Sequence, residues 1–500
     1  MVLSILLQIM WFSGFMVLLG NKYPFFAGAI RTMSALTVLA ILNGRDNPSY
    51  KMAWILLMLS LPVFGFSIYI MFGRPRSARA FRNRHELAEW DSRHLLPQRG
   101  EAREHLEKSS RRANRQSVYL EKSAGFPVYE QTQTVYYPEG QLLFESMVKE
   151  LQLAQHFIFM EYFIIDDGEM WRTILDILEM KAKEGLDVRL IYDDVGCVGT
   201  LPAKFYRTLR ERGIKCEVYN PFRPVVSVVF NNRDHRKIMV IDGHTGFTGG
   251  INLADEYINQ KKRFGHWKDT GVMLKGEAVW SFTVMFLRMW SVVTGSREEI
   301  KEDLPYDTHR YAGTVFETDG FVQPYSDSPL DQEPVGENVY LDIINHASSY
   351  VYIFTPYLVI DNEMMTALCL AAKSGVDVRI VTPGIPDKKL VSLATRSYYD
   401  QLIDSGVRIF EYQPGFLHAK CFVCDDEIAT VGSVNLDYRS FNLSFECGVW
   451  MYKASAVAQV KEDALSTFEK CREVTCEECR ARSAPVRVAQ SILRLIAPML

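Results

Sequence analysis

Three apolar stretches open the chain before its pattern turns mixed. Met1–Gly20 carries no charge, Pro24–Asn43 carries only Arg31, and Met52–Phe72 is free of charge. A helix needs about 20 apolar residues to cross a bilayer, so the first and third stretches fit, while the second requires Arg31 to snorkel to the interface. No basic segment precedes the first stretch, so it does not read as a cleaved leader. Arg74, Arg76, Arg79, Arg82 and Arg84 follow the third stretch, whereas Arg45 and Lys51 before it are offset in part by Asp46. This bias predicts that everything after residue 73 lies in the cytoplasm, and three spans satisfy it better than two. Basic residues continue through Arg111, Arg112 and Arg115. Residues 74–124 therefore read as a basic juxtamembrane linker, either laid against anionic headgroups or standing as a solvated helix.

Beyond residue 124 the pattern alternates strand-like apolar runs with helical spacing. Thr173–Lys183 has helical spacing, stops near Gly185 and leads into the strand-like run Val188–Tyr192. Met364–Lys373, Gly375 and Val378–Thr382 repeat that order. Other segments repeat with them: Phe157–Asp166 resembles Tyr352–Asp361, and Arg212–Lys215 resembles Ser405–Arg408. A helix with a glycine stop followed by a buried strand is an α/β signature. The prediction is an α/β fold with two pseudo-symmetric lobes, each a mixed sheet flanked by helices, at residues 125–300 and 301–484. Residues 485–500 form a C-terminal amphipathic segment. It sets Val488, Ile492, Leu495 and Ile496 on one helical face and adds Arg487 and Arg494, so it either lies on the membrane or docks on its own domain.

Composition narrows the class. A chain of 500 residues that is 48% hydrophobic and 23% charged is not disordered. A net charge of −4 and a pI near 6.3 argue against a general nucleic-acid binder. The nine cysteines are expected to be reduced in the cytoplasm. Cys421 and Cys424 read as packing residues in a strand, and Cys471, Cys476 and Cys479 lack the second pair a zinc site needs. No metal is predicted.

The chemistry sits in two linear motifs. His235 and Lys237 precede an apolar run ending at Asp242, and Gly249-Gly250-Ile251-Asn252 follows. His418 and Lys420 precede a run ending at Asp425, and Gly432-Ser433-Val434-Asn435 follows. Both read HxKx4D, then G-[GS]-x-N, in step with the duplication, which makes chance agreement remote. Placed at a strand start, His and Lys two apart face one side of the sheet, and the aspartates fall at the strand end as turn residues. The candidate catalytic residues are His235, Lys237, Asp242, His418, Lys420 and Asp425. Asn252, Asn435 and Ser433 are candidate phosphate ligands. Two imidazoles and two ammoniums around one anion form a site for a phosphodiester, one His attacking phosphorus and the other protonating the leaving alcohol. Asp269 and Glu446 are equivalent in the repeat, and each either orients a catalytic His or stands as a carboxylate on a strand edge. The residues themselves treat His235 and His418 as equals.

These motifs resemble the phospholipase D superfamily. The segment from Asn47-Pro48-Ser49-Tyr50 through Pro62-Val63-Phe64-Gly65 to Phe72-Gly73-Arg74 resembles the membrane leader of bacterial cardiolipin synthases. Tyr412–His418 and Asn435–Phe441 are similar to other elements of that family. Gly250 stands where serine is usual, which removes a hydroxyl from lobe one. The resemblance implies that two phosphatidylglycerols in the bilayer become cardiolipin and glycerol through a phosphatidyl-histidine, with no cofactor, and that His235 is the nucleophile. It implies an enzyme of the cell membrane, multi-pass, with cytoplasmic lobes. No nucleic acid and no obligate protein partner is implied, and the oligomeric state is open. A phospholipase D hydrolase giving phosphatidic acid is the alternative, since the motifs do not separate water from lipid as acceptor. A tethered nuclease would need a more basic face, and a dead scaffold is at odds with two intact motif sets. His244, His266 and His346 have no repeat partner and read as packed or surface residues. Tyr136, Tyr137 and the stretch from Pro221 to Phe230 either meet acyl chains or form core.

Overall fold

The computed structural model describes residues 22–44, 47–73, 79–221, 232–296, 319–331 and 333–499, with scattered positions at 10, 14, 15, 18, 306, 316 and 317. The first apolar stretch and the 222–230 part of the insertion before His235 lie largely outside the described residues.

The second apolar stretch forms one helix, Pro24–Leu42. Its segment Phe25–Leu42 is long and apolar enough to cross a membrane. Met52–Phe72, predicted as a single span, is instead two helices, Pro48–Ser60 and Pro62–Phe72. Pro62 causes the break: it has no N–H to donate, and it drives the residue before it out of the helical region. Leu61 accordingly adopts φ −135° and ψ 73°. A small core of Val38, Ile41, Trp54 and Met58 joins these helices. Asn47 caps the Pro48–Ser60 helix and donates from Nδ2 to Asp361 Oδ2 at 2.8 Å, which fastens the N-terminal unit to the second lobe.

Residues 79–124 form helices packed into the fold, not a solvated linker. Leu106 and Leu120 are fully buried. Gln116 accepts from Trp450 Nε1 at 2.8 Å and donates to the Val339 carbonyl at 3.1 Å. The surplus of arginine along this stretch hides an apolar stripe.

Each lobe is built on the sheet the duplication predicts. Lobe one orders its strands Thr132–Tyr137, Gly271–Gly276, Thr245–Gly249, Lys237–Ile241, Phe157–Tyr162, Asp187–Asp193 and Lys215–Tyr219. Lobe two runs Phe321–Asp327, Ser444–Tyr452, Ile428–Gly432, Cys421–Cys424, Tyr350–Phe354, Asp377–Pro383 and Arg408–Tyr412, and then adds Cys471–Glu473. In both sheets the strand after the HxK motif pairs antiparallel with the first strand of a parallel triplet. Central strands such as Phe157–Tyr162 are buried along their whole length because helices cover both faces, Val279–Thr294 on the side of Phe159 and Glu169–Lys183 on the side of Met160. Tyr136 belongs to this core, its hydroxyl donating to Asp463 Oδ2 at 2.7 Å. The C-terminal helix Ala484–Ile496 docks on the Lys389–Ser397 helix through Gln490, yet leaves Val488, Ile492 and Leu495 exposed.

Candidate active site

The motif histidines sit just ahead of their strands, which begin at Lys237 and Cys421. Each is held there by the opposite lobe. The short strand Arg233–Asp234 pairs in parallel with Ser444–Phe445, and the His235 N–H continues the ladder to the Phe445 carbonyl at 2.9 Å. Its counterpart Gly415–Leu417 pairs in parallel with His266–Lys268, and the His418 N–H reaches the Lys268 carbonyl at 2.7 Å. The residue following each anchor is an acid, so the ladders deliver the carboxylates crosswise. His235 Nδ1 lies 2.9 and 3.0 Å from the Glu446 oxygens, and His418 Nδ1 lies 2.6 Å from Asp269 Oδ2. With Nδ1 engaged, Nε2 is the nitrogen of each ring left for other partners. Each lysine folds back on its own histidine. Lys237 Nζ donates to the His235 carbonyl at 2.5 Å, and Lys420 Nζ donates to that of His418.

The two halves differ behind the carboxylates. Ser433 Oγ donates to Glu446 Oε2 at 2.5 Å, and Ser440 Oγ donates to Oε1 at 2.8 Å. Ser433, predicted to bind phosphate, is thus committed to holding Glu446. In lobe one a Cβ on Gly250 would fall 2.1 Å from Asp269 Oδ1. Glycine therefore belongs with the Asp269 carboxylate in its present place, and the missing hydroxyl is matched to that acid. Asn252 is committed as well: Oδ1 accepts from the Ile164 N–H at 3.0 Å, and Nδ2 donates to the Tyr257 hydroxyl at 2.7 Å. Asn435 is the exception, buried with its Oδ1 unpartnered among the described residues.

Asp242 and Asp425 stand apart from this constellation, although the motif suggested catalysis. Asp242 accepts from the N–H groups of Gln155, His156 and Phe157 at 2.8 Å. Asp425 does the same for Ser348, Ser349 and Tyr350 at 2.7–2.9 Å. Both have left-handed backbones, with φ 50° and 51°, at the far end of the motif strand. They clamp the start of the central strand of each sheet. Asn tolerates that conformation but removes the charge and one acceptor oxygen. Asp242→Asn is expected to destabilise by about 1–3 kcal/mol. Thermal unfolding should register the loss while the kcat of the folded protein changes little.

Burial sets the electrostatics. It pushes His418 down to about 4 and His235 well below its ordinary range, and the neighbouring lysines push the same way. Burial lowers Lys237 to about 8 and Lys420 to about 7, against the opposing pull of the site carboxylates. The acids diverge. Burial raises Glu446 to about 8 despite Lys237 and the two serine hydroxyls. For Asp269, burial is outweighed by His418 and Lys420, which hold it below the usual carboxylate range. Asp269 thus offers a full negative charge to His418, whereas Glu446 favours a neutral His235.

Side chains that the linear motifs did not reveal complete the walls. Phe163 stands edge-on to His235 at 4.9 Å between ring centroids. Tyr257, Trp267 and Phe416 surround His418 at 5.6–5.7 Å. Arg236, between the motif His and Lys, is buried against Glu161 at 2.6 Å and Asp234 at 3.2 Å, which fixes the segment in lobe one. His85, from the helix Arg79–Ser92, stacks on Phe445 at 4.7 Å, so the juxtamembrane layer buttresses the strand that carries Glu446. His266 bonds Tyr412, and His346 bonds the Asp342 carbonyl, as packed residues do. Among the described residues no group of three or more His, Cys, Asp or Glu side chains is arranged to hold a metal ion.

A family described as cardiolipin synthase, phospholipase D-like domain, matches residues 147–290 and 340–467, and a phospholipase D-nuclease N-terminal family matches residues 33–74. A cardiolipin synthase of Geobacillus sp. (strain WCH70) is 36% identical, over 91% of this chain and 89% of its own. One from Halalkalibacterium halodurans is 33% identical over 95% and 94%. An uncharacterized protein of Streptococcus mutans is 44% identical over 93% and 99%. The crystal structure of a Haemophilus influenzae phosphatidylserine synthase shares the fold at 15% identity, with a TM-score of 0.57 over 77% of this chain and 99% of that one. Given the doubled HxK motif, the crossed histidine–carboxylate pairs and relatives aligned over nearly the full length, the chain belongs to the bacterial cardiolipin synthases, phosphatidyltransferases of the phospholipase D superfamily.

Proposed function

We propose that this enzyme transfers a phosphatidyl group from one phosphatidylglycerol to another, giving cardiolipin and glycerol through a phosphatidyl-histidine on His235. The crossed pairing carries this reading, because it holds two imidazoles with reactive Nε2 atoms beside two cationic lysines. Neutral His235 attacks phosphorus through Nε2. The P–O bond to the headgroup glycerol breaks, and the leaving oxygen takes a proton from His418 Nε2. The acceptor lipid's glycerol hydroxyl then gives its proton to His418 and attacks phosphorus. The P–N bond breaks, which restores His235. One phosphodiester is exchanged for another, so bond energy is conserved through two easier steps. Lys237, Lys420 and the Nδ2 amide donor of Asn435 balance the charge that develops on the phosphoryl oxygens.

The divergent acids support the division of labour. The charge of Asp269 opposes the burial that lowers His418, and the negative charge of a bound phosphodiester adds to it, so that His418 takes up its proton with substrate as a general acid needs, whereas the hydroxyl-bonded Glu446 leaves His235 unprotonated, as a nucleophile needs. The lysines give the reading a pH signature. Their charge is present below the lowered pKa values and lost above them, so kcat/KM should fall as pH rises through about 7 to 8. A bound phosphodiester stabilises both ammoniums, so the alkaline limb of kcat should lie at higher pH than that of kcat/KM. Coincident limbs would contradict this role.

The Phe25–Leu42 helix and the exposed apolar face of Ala484–Ile496 support an enzyme fixed to the cell membrane with its lobes resting on the cytoplasmic surface. Cysteines of the lobes should then resist an impermeant thiol reagent in intact cells and react after lysis and unfolding. The activity itself is tested with purified enzyme, phosphatidylglycerol vesicles and a chelator, the products being resolved by mass. Cardiolipin and glycerol in equal amounts are expected. Phosphatidic acid as the sole lipid product would make the protein a hydrolase.

A further inference from the structure

The two reacting-phosphate half-sites obey the pseudo-symmetry of the fold, but the loops beside them do not. After the strand Asp377–Pro383, lobe two continues Gly384-Ile385-Pro386-Asp387-Lys388-Lys389. After the equivalent strand Asp187–Asp193, lobe one continues with the short helix Asp194–Cys197 and a longer connection, and its lysine, Lys204, comes eleven residues after the strand, where Lys388 comes five after its own. The lobe-two loop is tied to the segment leading into His418: the Gly384 N–H donates to the Tyr412 carbonyl at 3.0 Å, and the Ile385 N–H donates to that of Gly415 at 3.1 Å. Tyr357 props its tip, donating to Asp387 Oδ2 at 2.7 Å, and Lys388 Nζ stands 5.2 Å over the Tyr357 ring. Lys388 is exposed, and among the described residues its ammonium forms no ion pair within 4 Å, although its charge acts on the Asp437 carboxylate. Its charge is also felt at His235, alongside those of Lys237 and Lys420. Ile385 and Leu390, on either side, are also exposed apolar residues, a pattern suited to a headgroup layer.

The transfer reaction requires a cation in such a place. Two His–Lys pairs serve the phosphate that reacts. The acceptor phosphatidylglycerol brings a second phosphodiester, separated from its attacking hydroxyl only by its glycerol, and the site described so far holds nothing for it. We propose that Lys388 binds the phosphodiester of the acceptor lipid and thereby selects a lipid hydroxyl over water or free glycerol in the second half-reaction. The assignment rests on the transfer reading above. Lys388 makes and breaks no bond in it: the acceptor proton still goes to His418 and the P–N bond at His235 still breaks. Its role is to position the acceptor.

The test separates acceptors that share one phosphatidyl intermediate. The purified full chain is given phosphatidylglycerol vesicles and labelled free glycerol. Cardiolipin reports the lipid acceptor, and labelled phosphatidylglycerol reports the glycerol acceptor, which has no phosphate. Lys388→Gln should lower the ratio of cardiolipin to exchanged glycerol about tenfold, the size of one charge-assisted contact. Lys388→Arg should restore most of it. An unchanged ratio, or both products lost in proportion, would overturn the assignment while the transfer reading stands. A wild type that forms neither product would overturn the transfer reading, and the acceptor site with it.

Discussion

His235→Ala and His418→Ala should each lower cardiolipin formation by about a thousandfold or more, the effect of losing a nucleophile or a general acid. The two losses should differ in kind. A leaving group that departs without a proton, such as p-nitrophenol in a synthetic phosphodiester, makes His418 dispensable in the first half-reaction. His418→Ala should then release p-nitrophenol in a burst of about one equivalent and stall, because the acceptor has no base. His235→Ala should release none above background. Each imidazole bonds a buried carboxylate, so its removal also disturbs folding. His235→Gln and His418→Gln keep a donor for Glu446 and Asp269, and thermal unfolding of all four variants separates lost chemistry from lost structure. A burst from His235→Ala with none from His418→Ala would reverse the two roles.

The second large effect concerns the acids. Glu446→Gln and Asp269→Asn preserve shape but put an amide N–H where a carboxyl oxygen fixes the tautomer of His235 and His418, the second also removing a charge, and a loss in kcat of about 10²- to 10⁴-fold is expected from such a change. Because the pairs are crossed, the consequences cross as well. Asp269, in lobe one, should behave like the lobe-two His418, so that a p-nitrophenyl diester recovers the first half-reaction of Asp269→Asn. Glu446, in lobe two, should behave like the lobe-one His235 and show no such recovery. Substrate KM should move less than kcat in both. Recovery in Glu446→Gln alone would mean that each acid serves the chemistry of its own lobe.

How much of this could be read from the chain differs from residue to residue. The lobes and both HxK motifs were legible, because a duplicated sheet repeats its apolar strands and because the chemistry is concentrated within a few residues of each motif. The carboxylates Asp269 and Glu446 were legible as repeat partners. Their crossing was not, since it arises from strand pairs that join residues about 150 to 210 apart in sequence. Ser433 and Asn252 looked like phosphate ligands because hydroxyls and amides commonly are. In the fold their hydrogen bonds are committed to Glu446 and to Tyr257 and Ile164. Asp242 and Asp425 share the motif for a different reason, the capping of a strand start. At the N-terminus, Pro62 was in plain view within an apolar run, and hydropathy alone passed over the break it imposes. In residues 79–124 charge masked the burial of Leu106 and Leu120.

The central claim is that phosphorus passes through His235. The direct measurement is to mix the enzyme with phosphatidylglycerol labelled in its phosphate, quench within a turnover in alkaline denaturant, which preserves phosphoramidates, and map the labelled peptide by mass. The account predicts label on the peptide containing His235, absent in His235→Ala and accumulating in His418→Ala with a p-nitrophenyl donor. Label on the His418 peptide of the wild type, or turnover with no labelled histidine at all, would contradict it.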